Sequence, residues 1–303
     1  MRLDELHNEF LSYLEVERNC SPSTIATYGY SFRNFLRFLS HHGLAPTLDN
    51  IDRSVARRYV VWLHSRGLKP ATVALRLNSL RSFWNYLRES EYTQTDPFFR
   101  IFLRKRAGRT PSHLTLDEAE RLLAAAEQQE DLFNAFRDTA VLTVMLYTGV
   151  RRNELLALTL DDLDLAGGTV RIASGKGGKS RVLPLLPPAC TAVADWLELR
   201  PACEHERVFT SKWGTPLSKN GLASLLKRAL GASGITKSGV TLHSLRHTFA
   251  CLMLQSGCDL YSLQRMLGHS RLDTTAGYLH ATAEDLRAAA AKHPLNRDES
   301  GAG

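Results

Sequence analysis

Tyr278, in the stretch Thr274-Thr275-Ala276-Gly277-Tyr278-Leu279-His280, carries a hydroxyl that could act as a nucleophile. Four basic residues upstream could serve it: Arg151, His243, Arg246 and His269. A free tyrosine has a pKa of about 10, so only roughly 0.1% of it is ionised near neutral pH and it needs activation to attack anything. His243 and Arg246 are three apart and share a face if their segment is helical. Singly, each residue has an ordinary role: a half-buried packing tyrosine, a surface arginine, a satisfied polar histidine. Those roles do not account for the order and spacing of the whole set.

Three other chemistries are approached and missed. Ser174-Gly-Lys-Gly-Gly-Lys-Ser180 ends like a phosphate-binding loop, but that loop needs G-x-x-x-x-G-K-[ST] ahead of a helix. Here the first glycine would fall at Ala173, and Arg181-Val-Leu-Pro-Leu185 reads as a strand. His243 and His247 are four apart, as in a zinc protease, but Ser244 stands where that motif needs a glutamate base. The expectation is that no metal and no cofactor take part. No G-x-S-x-G is present to supply a serine nucleophile.

The composition sets the context. At 303 residues, 44% hydrophobic and 23% charged, the chain is a globular protein with room for two cores. Its formal charge of +7 favours a polyanionic partner, nucleic acid before an acidic membrane surface. Five cysteines, odd in number and without a C-x-x-C, argue for a reducing compartment rather than a disulfide framework. The opening residues have no apolar signal core, and Thr139 to Val150 is too short to span a bilayer. The expected location is the cytoplasm, with no membrane partner.

The elements that must position these residues fall into two groups. Residues 1–105 read as a four-helix domain with a basic linker. Leu3, Leu6, Phe10 and Leu14 line one helix face. Ser21-Pro22 starts a second helix, with Ile25, Tyr28, Phe32, Phe35 and Leu39 inward. A third helix, about 52–66, carries Val55, Tyr59, Trp62 and Leu63, and a fourth from Pro70 carries Val73, Leu77, Leu80, Trp84 and Leu87. Arg57, Arg58, Arg66, Lys69, Arg76 and Arg81 are read as a basic face off these stripes, either merely solvated or tracking phosphates. Arg104, Lys105 and Arg106 form the core of the basic linker, which would be drawn to a phosphate backbone.

Residues 112–296 read as a second domain, mainly α with a small β-sheet. Thr115 and Glu118 form a capping box. An apolar helix from Phe133 runs into Thr148-Gly149, and a further helix carries Arg151, Glu154, Leu155 and Leu158. Residues 169–185 alternate like a β-hairpin whose glycine-rich tip carries Lys176 and Lys179. Helices are expected at 188–199, 219–231, 244–256, 259–267 and 273–291, followed by a frayed tail at 297–303.

Thr148-Gly149-Val150-Arg151-Arg152-Asn153-Glu154-Leu155 resembles the first signature box of the tyrosine recombinases, the phage integrase family. His243-x-x-Arg246-His247, Leu267-Gly268-His269 and Tyr278 resemble the second. Gly175-Lys176-Gly177 sits between them, where that family keeps its catalytic lysine. Ser21-Pro22-x-Thr24 and Ala74-Leu-Arg-Leu-Asn-Ser-Leu-Arg-Ser-Phe-Trp84 are similar to the family's SAM-like core-binding domain, and point to its Xer type. The resemblance implies a site-specific DNA recombinase in which Tyr278 attacks phosphorus to give a 3′-phosphotyrosyl bond. Arg151 and Arg246 would clamp the non-bridging oxygens. His243 and His269 would hydrogen-bond the phosphate, and Lys176, in preference to Lys179, would protonate the leaving 5′-oxygen. Glu154 would orient Arg151.

The partners it implies are a double-stranded recombination site clamped between the two domains, and a tetramer on DNA, homomeric or with a paralogous recombinase. A septal DNA translocase joins that set. The alanine-rich segment Ala283 to Lys292 would dock on a neighbouring protomer. The expected DNA contacts are Arg76, Arg81, Arg104, Lys105, Arg106 and Lys179. The expected task is resolving chromosome or plasmid dimers. The alternatives are an integrase of a phage or mobile element and, in another class, a non-catalytic DNA-binding protein on the same fold. The Xer task is the expected one, because no obvious added arm-binding domain is read before Leu3.

Overall fold

The computed structural model describes residues 1–101, 103, 113–173 and 180–268. The expected linker cations Arg104, Lys105 and Arg106, the hairpin lysines Lys176 and Lys179, His269, Tyr278, the helix 273–291 and the tail lie outside these residues. The chain divides into two compact units, Met1–Gly108 and Arg109–Gly303.

The first unit is built from α1 (Leu3–Val16), α2 (Pro22–His41), α3 (Arg53–Ser65) and α4 (Pro70–Glu89). Ser21 and Asp52 cap α2 and α3 by accepting hydrogen bonds from Thr24 and Val55 amides. The predicted stripes close one core: Leu3, Leu6, Phe10, Phe35, Tyr59, Leu63, Val73, Leu77, Trp84 and Leu87 are all buried. His7 also lies in that core, stacked on Phe32 at a ring separation of 3.8 Å.

The basic face of this unit divides in two. Arg57, Arg58, Arg66 and Lys69 are exposed, as expected of a solvated cationic surface. Arg76 departs from that expectation: it is buried, and one guanidinium nitrogen donates to Asn34 Oδ1 at 2.8 Å. Its position explains this, because residue 76 is three beyond Val73 and four before Leu80, on the edge of the apolar stripe. Arg81 is half-buried and donates to the carbonyls of Phe98 and Ile101, tying α4 to the segment that follows it.

The second unit opens at the Thr115–Glu118 capping box, both halves of which are formed. Its described elements are α5 (Leu116–Glu127), α6 (Leu132–Thr148), α7 (Arg152–Ala157), β1 (Leu163–Asp164), β2 (Thr169–Ile172), β3 (Arg181–Pro184), α8 (Pro187–Leu199), α9 (Lys219–Ala232), α10 (Leu242–Gln255) and α11 (Leu260–Leu267). The helix α6 is apolar all round because it is the centre of the unit, packed against α5, α8 and α10. Its one fully buried carboxylate, Asp138, accepts from Arg137 and from Arg228 of α9, so its charge is paired.

The expected hairpin is the antiparallel pair β2–β3, in register from Thr169 opposite Pro184 to Ile172 opposite Arg181. A two-residue strand, β1, extends it to a three-stranded sheet in the order β1-β2-β3. So short a strand has no alternation to betray it in sequence. The helix α10 begins at Leu242, two residues before the predicted start, with Thr241 as its cap.

Candidate functional site

Three segments converge where α6 ends, α10 begins and α11 ends. Gly149 terminates α6 in the left-handed region at φ 62°, and a Cβ there would lie 2.3 Å from Phe249 Cδ1 of α10. Only glycine permits that turn and that approach. The chain then reverses, and Arg151 becomes the residue that caps α7. Its backbone N–H donates to Glu154 Oε2 at 2.8 Å, and its Nη1 donates to Glu154 Oε1 at 2.9 Å. One carboxylate thus fixes both the main chain and the side chain of Arg151.

The end of α11 supplies the rest of the frame. The last carbonyls of a helix lack intrahelical donors and carry the negative end of its dipole. Here three consecutive ones are each taken by a guanidinium from a different element. Met266 O accepts from Arg181 Nε at 2.8 Å, Leu267 O from Arg246 Nη2 at 2.6 Å, and Gly268 O from Arg151 Nη2 at 2.9 Å. Arg246 also donates to Gly149 O at 2.6 Å, so it bridges the turn after α6 and the end of α11. It is buried to 2% exposure, whereas the Arg151 side chain is 43% exposed. Arg151 spends two of its five N–H donors on Glu154 and Gly268 and presents an open face.

Arg181 also takes the Glu154 carboxylate in a two-pronged pair, at 3.0 and 2.8 Å. Burial alone would push the Glu154 pKa up, but the hydrogen bonds and charge of Arg181 and the bonds from Arg151 outweigh it and bring it down to about 2. Glu154 is therefore anionic at any physiological pH. His243 stands exposed on the first turn of α10. Partial desolvation, then the positive charges of Arg246 and Arg151, hold its pKa below the ordinary histidine value. The imidazole is thus kept neutral beside two guanidiniums, able to accept a proton.

Of the sequence-predicted set, the structure brings Arg151, Arg246 and His243 together with Glu154. His247, the other half of the four-apart pair with His243, is buried and faces His113 and Cys251 instead. Sequence reasoning missed Arg181, which opens β3 opposite Ile172, at the turn end of the hairpin. A pair of fixed guanidiniums with a neutral imidazole is an anion site, suited to a phosphodiester that gains charge as it is attacked.

The phage integrase family model matches residues 112–285, and the phage integrase N-terminal SAM-like domain matches residues 8–91. The chain belongs to the phage integrase family, the tyrosine recombinases, enzymes that cleave and rejoin DNA. It is 34% identical to "Tyrosine recombinase XerD" of Listeria innocua over 291 residues, covering 94% of this chain and 97% of that protein. To "Tyrosine recombinase XerC" of Pelobacter propionicus it is 33% identical over 279 residues, covering 91% of each. The post-cleavage complex of XerH site-specific recombinase with palindromic difH substrate superimposes with a TM-score of 0.73 at 26% identity, covering 91% of this chain and 81% of that one.

Proposed function

We propose that this enzyme is a Xer-type site-specific recombinase that resolves chromosome or plasmid dimers through a 3′-phosphotyrosyl intermediate. The observation that carries the reading is the framing of Arg151 and Arg246 on the adjacent carbonyls of Gly268 and Leu267. Two guanidiniums so fixed would meet the two non-bridging oxygens of one phosphate. Preorganised donors aimed at developing charge are worth about 3–4 kcal/mol each in the barrier. The near-full-length similarity to proteins named XerD and XerC supports the Xer assignment.

In this reading the Tyr278 hydroxyl gives its proton to neutral His243 and its oxygen attacks phosphorus. The bond to the 5′-oxygen breaks, and Lys176 protonates that leaving oxygen. His269 donates to the phosphate beside the two arginines. The phosphotyrosyl bond conserves the energy of the phosphodiester, so attack by another 5′-hydroxyl religates the strand without ATP or metal. Four duplex arms exchange in recombination, which calls for four protomers on DNA, alike or paired with a paralogue, and a septal DNA translocase fits a role at cell division. The exposed cations Arg57, Arg58, Arg66 and Lys69 would track the DNA backbone in the cytoplasm, with Arg104, Lys105, Arg106 and Lys179 adding to them. Arg76 and Arg81 would support that surface from within, through Asn34 and the Phe98 carbonyl.

The test is covalent trapping. Nicked suicide DNA carrying the recombination site should attach to the wild-type protein in the presence of chelator and not to Tyr278→Phe. An adduct on Tyr278→Phe would remove Tyr278 from the mechanism.

A further inference from the structure

The buried histidine that follows Arg246 has two neighbours that the recombinase chemistry does not use. Donor atoms of His113, His247 and Cys251 all lie within 4.8 Å of one another. Cys251 is one turn beyond His247 on α10, and its Sγ is 3.7 Å from His247 Nδ1. The ring of His113 meets that of His247 edge-on, with centroids 5.2 Å apart and planes at 83°. The placement of His113 is fastened on both sides. Its carbonyl accepts from Lys237 Nζ at 2.8 Å, and the next amide, Leu114 N–H, donates to Thr248 Oγ1 at 2.9 Å.

We propose that His113, His247 and Cys251 form a three-ligand zinc site that staples the segment entering the second unit to α10. Tetrahedral zinc holds a thiolate at about 2.3 Å and an imidazole nitrogen at about 2.0 Å, which sets the two donors about 3.5 Å apart. The Cys251–His247 separation is already within a few tenths of an ångström of that. Rotation of the His113 ring closes the third arm, and solvent on the side of this half-buried residue takes the fourth. Two imidazoles and one thiolate suit zinc and do not suit the oxygen-seeking magnesium and calcium.

As the Zn–S bond forms, the Cys251 thiol releases its proton to solvent. Burial pushes the pKa of that thiol up, so without metal it rests as a neutral hydrogen-bonding group. The site takes no part in phosphoryl transfer. Its consequence is mechanical, because the helix it fastens carries Arg246 beside His247 and His243 one turn before it. It stands independently of the recombinase reading, since it depends only on these three side chains and their anchors.

Cobalt(II) is the probe, added to the full-length, tag-free protein under reducing conditions. The expected result is a thiolate-to-cobalt charge-transfer band that saturates at one equivalent, is displaced by zinc and is absent in Cys251→Ser. In His113→Gln, loss of a ligand should weaken cobalt binding by about tenfold or more, since even outer-shell changes cost that much. Zinc should raise the melting temperature of the wild type and leave Cys251→Ser unmoved. Absence of the band, or its persistence in Cys251→Ser, would overturn the proposal and leave an ordinary S–H···N contact. If Cys251→Ser does not fold, His113→Gln decides: unchanged cobalt affinity there overturns the site.

Discussion

At the scale of single residues, the decisive group is one that never touches the phosphate in this reading. Glu154 is buried, yet it stays ionised because Arg181 and Arg151 share its two oxygens. Removing one partner of a buried pair leaves a charge without compensation, which typically costs about 3–5 kcal/mol. Arg181→Gln should therefore lower the melting temperature and also loosen Arg151. In single-turnover cleavage we expect a rate loss of about tenfold to a hundredfold with DNA affinity little changed, measured by adduct formation at saturating DNA. Arg151→Lys should lose more, about a hundredfold to a thousandfold, because an ammonium cannot reproduce the fork that spans Glu154, Gly268 and a phosphate. The part of Glu154 is legible in sequence, since it stands three residues after Arg151 at a helix start. That of Arg181 is not, because it lies 27 residues further on and reaches Glu154 only through the register of β2 and β3.

At the scale of elements, the short helix α11 does more than its length suggests. Its terminal carbonyls gather guanidiniums from the α6–α7 turn, from β3 and from α10. Bonds to main-chain oxygens have no residue-type signature, so no motif search could find this frame. The glycines around it are legible as turns, but the reason for Gly149 is a contact. Gly149→Ala would need a positive φ and would place a Cβ against Phe249 and Leu267. Strain and overpacking together predict a loss of about 2–5 kcal/mol, measured by urea unfolding, with cleavage lost in parallel. In the first unit, the four predicted stripes correspond to the observed core because each is a simple three-and-four repeat. Arg76 shows where that reading fails: a cation next to a stripe can be drawn inside when an acceptor such as Asn34 is waiting.

At the scale of the whole molecule, the two units carry acid-sensitive groups that act in different pH windows. His7 is buried in the first unit, and burial together with the charge of Arg33 brings its pKa from 6.5 down to about 4. The unfolded chain therefore binds this proton first, and the first unit loses stability as pH falls from 6.5 to about 4. Glu154 acts in the second unit, where the stability from its pairing persists down to its unfolded value of 4.5 and is lost as pH falls to about 2. Each shift corresponds to about 3 kcal/mol as an order of magnitude. Hydrogen exchange at pH 7 and pH 5 should show protection falling in Leu77–Leu87 and holding in Val141–Met145, and His7→Phe should abolish the difference. Two cores and a cationic surplus are legible from length and composition. The separate acid limbs are not, because they depend on which histidine and which carboxylate the packing encloses.

The row of carbonyls at the end of α11 makes the site a matter of counting. Because Met266, Leu267 and Gly268 contribute oxygen atoms common to every residue, replacing the half-buried Met266 side chain leaves the acceptors in place. Adding a residue does not. One alanine inserted after Ser262 would turn the end of the helix by about 100° and advance it by about 1.5 Å, taking all three oxygens off their arginines. The cleavage site should thus tolerate changes of spelling on the side of this helix away from Leu263 and Leu267, and none of length. A set of Met266 substitutions compared with the single insertion, assayed side by side for adduct formation, would separate the two.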